Sequence, residues 1–394
     1  MQNPVEPAST ERLRRQNVSL VLRSLRRAGP ATRSELAQRT GLAKATVGVI
    51  VADLEEAQAV VEEESRTGSR GRPGRPVALR GDRYVTVGLE LNVDYVAAVV
   101  LDLAGDVRLV ETRPTQAKAL AHEQALLDLV KEVVVPALAG RVLVGTTLAV
   151  PGLVRGDNRT VAWAPNVSLR GDSLAQRLER VLGGRCRIRV SNDANCAAYA
   201  ETHHGAATDI RHVLYLTGTV GIGAGIVENG ELVRGAAGFA GEVGHMPVGD
   251  PSAMCGCGRR GCWEASIGLH AMLEKVGMTE LDTPLDTARA VATRALTDAA
   301  VREGLAWLGH DVGLGLAVLT TVLDPGVVVL GGYFAPLGDL VLEPARRTLD
   351  ARLVSDVQPR PALRTGALGI QAAALGAAEW SFGDLLAGEL DLAG

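Results

Sequence analysis

The chain has 394 residues, of which 47% are hydrophobic and 22% are charged, so it can bury more than one apolar core. Its five cysteines, three of them clustered, argue against a disulfide framework and favour a reducing compartment. The first residues lack the apolar segment of a signal peptide, and no uninterrupted apolar run is long enough to cross a bilayer. The sequence therefore predicts a cytoplasmic protein without a membrane partner.

Charge is divided unevenly along the chain, whose formal net charge is −4. Residues 1–80 carry 14 Lys and Arg against 9 Asp and Glu, whereas the remaining residues carry 27 against 36. A basic first segment ahead of an acidic body favours contact between a polyanion and the first segment alone. Asymmetry of this size also arises by chance, so the interpretation needs support from the predicted elements.

Three helical patterns and then two strand patterns follow one another in residues 1–80. The Gly29-Pro30 pair ends the first helix, and Thr32 with Glu35 forms a capping-box pattern at the start of the second. The third helix, ATVGVIVADLEEA, has its apolar side chains on one face. The segments AVVEEES and PVALR predict the two strands of a small wing. Together these elements predict a winged helix-turn-helix domain.

The third helix of such a motif enters the major groove of DNA, where residues at its start contact base edges. Glycine and proline keep the segment RTGSRGRPGRP extended, so its arginines could follow phosphates or enter a narrow minor groove. The predicted DNA-binding residues are Arg33, Lys44, Ala45, Thr46, Gly48, Val49, Arg70, Arg72 and Arg75. Two alternatives stay open: a structural three-helix domain with a solvated surface, and an arginine-rich segment that serves only as a linker.

Residues 81–394 show two similar α/β patterns in tandem. The segment VTVGLELNVDYVAAVVLDLAGDVRLVETRP predicts three strands with tight turns, and a helix and the strand VLVGTTLAV follow. A second set of paired strands begins at HVLYLTGTVGIGAG, and GVVVLGG predicts another buried strand after several helices. Two such halves indicate a bilobed molecule with its binding site in the cleft between the lobes.

The body resembles the ROK family of repressors, open reading frames and kinases, within the sugar-kinase and actin superfamily. The resemblance is carried by SNDANCAAYAE, TGTVGIGAGIVENGELVRGAAGFAGEVGH and CGCGRRGCWE. With its N-terminal motif, the whole chain is similar to the repressor branch of that family. The resemblance implies a duplicated, bilobed, ribonuclease-H-like α/β body behind the winged helix-turn-helix. Lobe one would span about residues 81–195 plus the C-terminal helix, and lobe two about residues 196–375.

The loop that ends at Glu264 holds three of the five cysteines. One imidazole and three thiolates form a closed tetrahedral set suited to structural zinc: His245, Cys255, Cys257 and Cys262. Glycines between the cysteines let the backbone fold tightly around a metal. We predict one structural zinc ion per chain. The alternatives are buried structural cysteines and a redox pair, although C-x-C differs from the usual C-x-x-C spacing.

In the family that the body resembles, polar residues of the same segments bind sugar hydroxyls. The matching positions in this chain are Asn166, Asn192, Asp193, Glu242, His245 and Glu264. Carboxylates accept hydrogen bonds from vicinal hydroxyls and an amide can donate to them, so the set suits a polyol. His245 is predicted to give one ring nitrogen to zinc and the other to the sugar. The alternative is an ordinary solvated polar surface.

Kinases of this family surround ATP phosphates with an Asp-x-Gly-Gly-Thr turn between their first two strands. The corresponding residues here are Glu90-Leu91-Asn92-Val93-Asp94, so both glycines are missing. Val93 is bulky where backbone N–H groups should approach phosphate, and Asp94 adds negative charge beside an anion. A second glycine-rich turn is retained, but such turns also serve as plain hairpins. Asp193, at the family's catalytic-base position, is therefore predicted to bind ligand, and no catalytic residue is predicted.

These features predict a sugar-responsive transcriptional regulator, a repressor that a sugar or sugar phosphate releases from operator DNA. Repeated half-sites on DNA would require a homodimer or a homotetramer. The rival hypothesis is an active ATP-dependent sugar kinase with an accessory DNA-binding domain. A regulator that responds to a protein partner is a third possibility, which no motif supports or opposes.

Overall fold

The computed structural model describes residues 10–63, 74–115, 119–219, 221–354, 357–390 and 392. The N-terminal unit, called the head, consists of α1 (Thr10–Ala28), β1 (Ala31–Thr32), α2 (Arg33–Thr40), α3 (Lys44–Glu56), β2 (Val60–Glu62) and β3 (Pro76–Leu79). Its three short strands form one antiparallel sheet in the order β1-β3-β2. The predicted helix-turn-helix and wing are confirmed.

Local sequence signals place the head's helices. The hydroxyl of Thr32 accepts a hydrogen bond from the N–H of Glu35, whose carboxylate accepts one from the N–H of Thr32. This reciprocal pair satisfies two donors that a helix start leaves free. Gly41, with φ 73°, ends α2 in the left-handed conformation that glycine tolerates best. The apolar stripe of α3, Val47, Ile50, Val51 and Leu54, is buried as its spacing predicts.

Lobe one follows the head. Its elements are β4 (Tyr84–Leu91), β5 (Tyr95–Asp102), β6 (Val107–Pro114), α4 (Ala119–Leu129), α5 (Val135–Ala137), β7 (Val142–Val150), β8 (Leu153–Val154), β9 (Val161–Ala164), β10 (Leu169–Gly171), α6 (Ser173–Val181), β11 (Ile188–Asn192) and α7 (Asp193–His204). A π-helical turn over Val130–Val134 joins α4 to α5. The short strands β8, β9 and β10 form a separate sheet beside the cleft.

Lobe two contains the second large sheet and most of the long helices. Its elements are β12 (Val213–Gly218), β13 (Ile222–Glu228), β14 (Glu231–Leu232), α8 (Glu264–Ile267), α9 (Leu269–Val276), α10 (Pro284–Ala295), α11 (Ala299–Leu323), β15 (Val327–Gly332), α12 (Phe334–Leu337), α13 (Asp339–Arg352) and β16 (Ala362–Thr365). The chain ends with α14 (Ala372–Trp380) and α15 (Gly383–Leu386). The helix α14 packs on β4, β5 and β7, so the chain returns to lobe one.

The two five-stranded sheets have the same strand order. In lobe one, β4 is central, with β5 and β6 added antiparallel on one side and β7 and β11 added parallel on the other. In lobe two, β12 takes the central place, β13 and β14 the antiparallel side, and β15 and β16 the parallel side. Identical order and direction confirm the duplicated α/β body that the sequence predicts.

The head is packed directly against the body. One continuous apolar cluster joins Leu22 and Val51 of the head to Leu101 of lobe one and to Leu375 and Phe382 near the C-terminus. The helix α1 also contacts α15. A head that shares a hydrophobic core with the body cannot change its orientation without repacking that core, because core side chains are close-packed.

A buried ion pair crosses the same interface. The Nε of Arg26 in α1 donates to Oε1 of Glu379 in α14 at 3.0 Å, and the guanidinium also bonds the carbonyl oxygens of Asp102 and Leu103. Nε2 of His204, at the end of α7, donates to Oε2 of Glu379 at 2.8 Å. Burial opposes ionisation of Glu379, but Arg26 and His204 hold its pKa well below the usual range. Glu379 therefore joins the head to both α7 and α14 as a buried anion.

Among the described residues, α11 alone is long and apolar enough to span a bilayer. More than half of that apolar stretch is buried, and α11 packs against α9 and α13. Leu305, Leu308, Val312 and Leu316 on its buried face belong to the apolar core of lobe two. These contacts are those of the central helix of a folded domain, which passes the same test of length and composition.

Replacing the buried anion should destabilise the protein strongly. Glu379→Gln leaves the Arg26 guanidinium buried without its counter-ion, and we expect a loss of about 3–5 kcal/mol in the free energy of unfolding. Chemical denaturation followed by circular dichroism measures this loss. The matched control is Asp82→Asn, which breaks an exposed pair with Arg80 and should cost about 1 kcal/mol or less. Equal losses for the two variants would contradict a structural role for the buried pair.

Candidate functional site

A cavity of about 660 Å³ opens in the cleft between the lobes. Its size falls in the range of small-molecule sites. Lobe one contributes apolar and aromatic side chains from β8 and β9, and lobe two contributes polar side chains from the loop between β14 and α8. The lining residues are Leu153, Trp163, Glu242, His245, Met246, Cys257 and Arg259. Two of the six predicted sugar ligands, Glu242 and His245, thus lie on the cavity wall.

Asn192 and Asp193 lie at the start of α7, where β11 ends. The side-chain oxygen of Asn192 accepts from the N–H of Asn195 and caps α7, while its amide donates to the carbonyl of Gly152 at 3.1 Å. Asn192 thereby fixes both the helix start and the Pro151-Gly152 turn beside the cavity. Burial raises the pKa of Asp193 to about 6, with a further contribution from the negative charge of Glu242. The negative charges of the two carboxylates therefore interact, and of the two only Glu242 belongs to the described lining of the cavity.

A second pair of carboxylates lies on the lobe-two side. Desolvation raises the pKa of Glu242, and repulsion from Glu264 adds to the rise while His245 opposes it. Oε2 of Glu264 accepts from the backbone N–H of Ile222 at 2.9 Å. Glu242 thus interacts electrostatically with Asp193, His245 and Glu264. Asn166, the sixth predicted ligand, is exposed on the short helical turn after β9.

The predicted metal ligands converge on one point. The nitrogen and sulfur donor atoms of all four residues lie within 4.8 Å of one another: His245, Cys255, Cys257 and Cys262. The sulfurs of Cys257 and Cys262 are 3.7 Å apart, and Sγ of Cys255 is 3.9 Å from Nδ1 of His245. Tetrahedral zinc with Zn–S bonds of about 2.3 Å requires sulfurs about 3.8 Å apart, so the cluster fits such an ion.

Arg259 favours the thiolate form of Cys257, whereas burial raises the pKa of Cys255 and of Cys262. The guanidinium of Arg259 donates to Sγ of Cys257 at 3.4 Å and lowers the pKa of that thiol to about 6. Burial has the opposite effect on Cys255 and raises its pKa. A metal ion with three thiolates carries net negative charge, which Arg259 is placed to balance. Sγ of Cys255 also contacts Oε1 of Glu264 at 3.5 Å, so the metal cluster and the carboxylates of the cleft touch.

The turn between β4 and β5 is closed by its own side chains. Oδ1 of Asn92 accepts from the backbone N–H groups of Val93 at 2.7 Å and Asp94 at 3.4 Å. Nδ2 of Asn92 donates to Oε1 of Glu90 at 3.1 Å, and the hydroxyl of Tyr95 donates to the same oxygen at 2.8 Å. The other carboxylate oxygen of Glu90 is buried and has no partner among the described residues.

The start of α3 presents an open surface. Lys44, Ala45 and Val49 are exposed, and the side chain of Val49 is 63% accessible although it is apolar. Thr46 and Gly48 are half-buried, and a Cβ added at Gly48 would meet nothing within 4 Å. This surface lies on the side of α3 opposite its buried stripe. It has the position and exposure that a DNA-reading helix start requires.

Of the predicted DNA-binding arginines, Arg33 is held within the head. It forms ion pairs with Glu62 and, at 3.5 Å, with Glu55. Arg75 is 70% exposed and lies 3.9 Å from Glu62. The remaining two, Arg70 and Arg72, lie outside the described residues. In this structure the glutamates of α3 and β2 thus neutralise the positive charge of Arg33.

Four cavity residues were missed by reasoning from the sequence: Leu153, Trp163, Met246 and Arg259. The ring of Trp163 is 49% exposed in a strand whose neighbours Val161 and Ala164 are buried. An exposed tryptophan between polar segments is a signal for ligand contact, since aromatic faces pack well against apolar ligand surfaces. Arg259 lies inside the cysteine loop, and only the fold shows that it reaches both the cavity and a thiol.

Comparison with known proteins agrees with this architecture. The family model described as "ROK family" matches residues 86–383, and the model described as "MarR family" matches residues 14–71. The xylose repressor of Bacillus subtilis (strain 168) is 29% identical over 364 residues, which cover 91% of this chain and 93% of the repressor. A glucokinase of Streptomyces coelicolor is 30% identical over 315 residues, which cover 75% of this chain and 96% of the kinase.

Solved structures show the same fold. A ROK family transcriptional regulator described as a homologue of the E. coli MLC protein aligns with a TM-score of 0.79 at 22% identity. The alignment covers 96% of this chain and 98% of the regulator, head included. The family match spans well over half of the sequence, and the duplicated sheets, the cleft and the cysteine cluster accompany it. The chain belongs to the ROK family.

Proposed function

We propose that the protein is a cytoplasmic, sugar-responsive transcriptional repressor that acts as a homodimer or homotetramer. The head carries the observation on which the proposal depends: an exposed helix start, α3, in a winged helix-turn-helix packed against a ligand cleft. A DNA-reading surface has no use in sugar phosphorylation. The relationship to the xylose repressor extends over both parts of the chain, whereas the glucokinase relationship covers 75% of it.

The proposed sugar site combines an aromatic face with carboxylates. The ring of Trp163 offers an apolar surface on which the C–H face of a pyranose can pack. Asp193, Glu242 and Glu264 accept hydrogen bonds from sugar hydroxyls, and His245 donates or accepts with the ring nitrogen that the metal leaves free. Bound zinc would supply a fixed position for His245 and for the loop behind it, and no chemical step is assigned to it.

Two features of the turn between β4 and β5 argue against phosphotransfer. The backbone N–H groups of Val93 and Asp94 already donate to Asn92, so they are not free to bind phosphate. The negative charge of Asp94 repels a nucleotide, and nearby Glu280 adds to the negative potential there. We therefore assign Asp193 a ligand-binding role and no catalytic role.

A direct structural path joins the cleft to the head. Asp193 starts α7 at the sugar site, and His204, near its other end about 17 Å away, bonds Glu379. Glu379 in turn holds Arg26 of α1. A sugar that displaces α7 when the lobes close would therefore change the position of the head relative to the body. Release from DNA requires the sugar to bind the DNA-free conformation more tightly than the DNA-bound one.

A DNA-shift titration with the promoter region of the protein's own gene and a sugar panel tests the function. We expect DNA binding that one sugar weakens at least tenfold. Val49→Glu should abolish DNA binding but keep sugar affinity, because it places a carboxylate on the exposed face of α3. Glu242→Gln should keep DNA binding but lose the sugar response. Repeated turnovers of ATP and hexose by the wild-type protein would show instead that it is a kinase.

Metal content tests the cysteine cluster. The purified wild-type protein should contain about one zinc per chain, and Cys262→Ser should lose most of it because a structural site needs all four ligands. Elemental analysis by mass spectrometry measures both. Cys186→Ser is the matched control, since Cys186 contacts Thr146 outside the cluster and its loss should leave the zinc in place. A wild-type protein purified without chelators and without zinc would refute the assignment.

The buried Glu90 predicts a pH-dependent stability difference. Burial raises its pKa to about 7, so between about pH 4.5 and pH 7 the folded state binds a proton that the unfolded state releases. Protonated Glu90 therefore does not lower the free energy of unfolding at pH 4.5, and this free energy falls as the pH rises to 7. We expect Glu90→Gln to gain up to about 3 kcal/mol over wild type at pH 8 and little at pH 4.5.

Denaturant unfolding at the two pH values measures this difference. The control is Glu303→Gln on the exposed face of α11, which should show no pH-dependent gain. A constant difference between Glu90→Gln and wild type at both pH values would mean that Glu90 is not the group that titrates.

A further inference from the structure

A second cavity, of about 680 Å³, lies at the opposite edge of the lobe-one sheet from the sugar residues. The strands β4, β7 and β11 are parallel, so all three begin at this edge. Asn192 is the last residue of β11 and Asp193 follows it, at the other edge of the sheet. The cavity is therefore separated from the cleft by the length of the sheet, and no residue assigned to the sugar site lines it. We call this second cavity the arginine cavity.

Five arginines line this cavity: Arg83, Arg159, Arg185, Arg187 and Arg189. Two of them are neutralised, since Arg159 pairs with Glu179 and Asp172, and Arg189 pairs with Asp384 at 2.7 Å. Among the described residues, the lining holds one further carboxylate, Asp157, whose oxygens are held by the Thr160 hydroxyl and by backbone N–H groups. The described lining thus carries surplus positive charge.

The positions of the three remaining arginines suit a ligand. Nε of Arg83 is buried and has no hydrogen-bond partner among the described residues, while its Nη1 donates to Gln58 at 3.3 Å. Leaving a buried charged donor unsatisfied is costly, so an acceptor at this point is favourable. Arg185 and Arg187 are exposed at the mouth. Glu179, which interacts electrostatically with Arg187, is already bonded by Arg159.

The rest of the lining combines polar residues, among them Thr146 and Asn158, with apolar walls and a free strand edge. Oδ1 of Asn158 is buried and has no hydrogen-bond partner among the described residues. Val142, Leu143, Leu385, Leu390 and Leu392 line the walls. The strand β11 pairs with β7 only from Thr146 onward, so over residues 142–145 that side of β7 has no strand partner among the described residues. Backbone N–H groups on a free edge can bond an anion, and leucine walls can hold an apolar group beside it.

We propose that the arginine cavity binds a small phosphate monoester, with its phosphate on Arg83, Arg185 and Arg187 and its organic part against the leucines. Guanidinium groups bond phosphate oxygens in pairs and are the preferred partners of this dianion. The recess has the size of a small-molecule site.

The bound phosphate monoester would also contact residues that hold the end of α3 in place. The hydroxyl of Tyr84 donates to the carbonyl of Ala57 at 2.7 Å, and Arg83 bonds Gln58, both just after α3 ends. A phosphate that draws Arg83 into the cavity would release Gln58. A ligand in the arginine cavity could thus change the position of the head without acting through the cleft. This proposal does not depend on the sugar-binding proposal.

Isothermal titration calorimetry of the full-length protein in phosphate-free buffer tests the proposal, with phenyl phosphate and inorganic phosphate as probes and phenol as the uncharged control. Phenyl phosphate should bind more tightly than inorganic phosphate because of the leucine walls, and phenol should not bind. Arg185→Gln/Arg187→Gln should weaken phenyl phosphate at least tenfold. Both arginines are exposed, so thermal unfolding should be unchanged.

Arg180→Gln/Arg347→Gln removes the same charge from exposed positions that do not line the cavity, and it should bind phenyl phosphate like wild type. If both double variants bound phenyl phosphate equally weakly, the loss would be explained by net charge alone, and the proposal would be overturned. Absence of phosphate binding to wild type would overturn it as well. If Arg185→Gln/Arg187→Gln impairs DNA binding while no phosphate probe binds, the proposal also fails, because the arginines would then serve DNA.

Discussion

The buried carboxylate of Glu379 is the interaction on which the arrangement of head and body depends. A single anion accepts hydrogen bonds from Arg26 of α1 and from His204 of α7, while its own helix, α14, packs on the lobe-one sheet. Each partner satisfies the desolvated charge only in one relative position. Three elements far apart in the sequence are thereby fixed to one another, and movement of any of them carries an electrostatic cost.

Helix α7 connects the predicted sugar residues to this interface. Its first turn carries Asp193, and its last turn carries His204 on the head interface. Packing around it is tight, since a Cβ on Gly376 of α14 would overlap the carbonyl oxygen of Cys196. Under the proposed function, a displacement of this close-packed helix at its first turn would be transmitted to the head interface.

Much of this molecule could be predicted from the sequence because its signals are local. The capping box at Thr32, the apolar stripe of α3 and the cysteine spacing each depend on residues close together in the chain. The pairing of Arg26 with Glu379 could not be predicted, because 353 residues separate them and many arginines and glutamates compete. The same holds for Trp163 and Arg259, which meet in the cleft only once both lobes have folded.

The hydrogen bonds of Asn92 have a consequence for the evolutionary history of the cleft. Its side-chain oxygen occupies the backbone N–H groups of Val93 and Asp94. Restoring a glycine at Val93 alone would leave those amides engaged, and removing Asn92 alone would leave the bulky and acidic residues in place. Under the proposed descent from a phosphate-binding turn, no single substitution would both free these amides and remove the bulky and acidic side chains. A regulator that arose in this way would be difficult to convert back into a kinase by stepwise mutation.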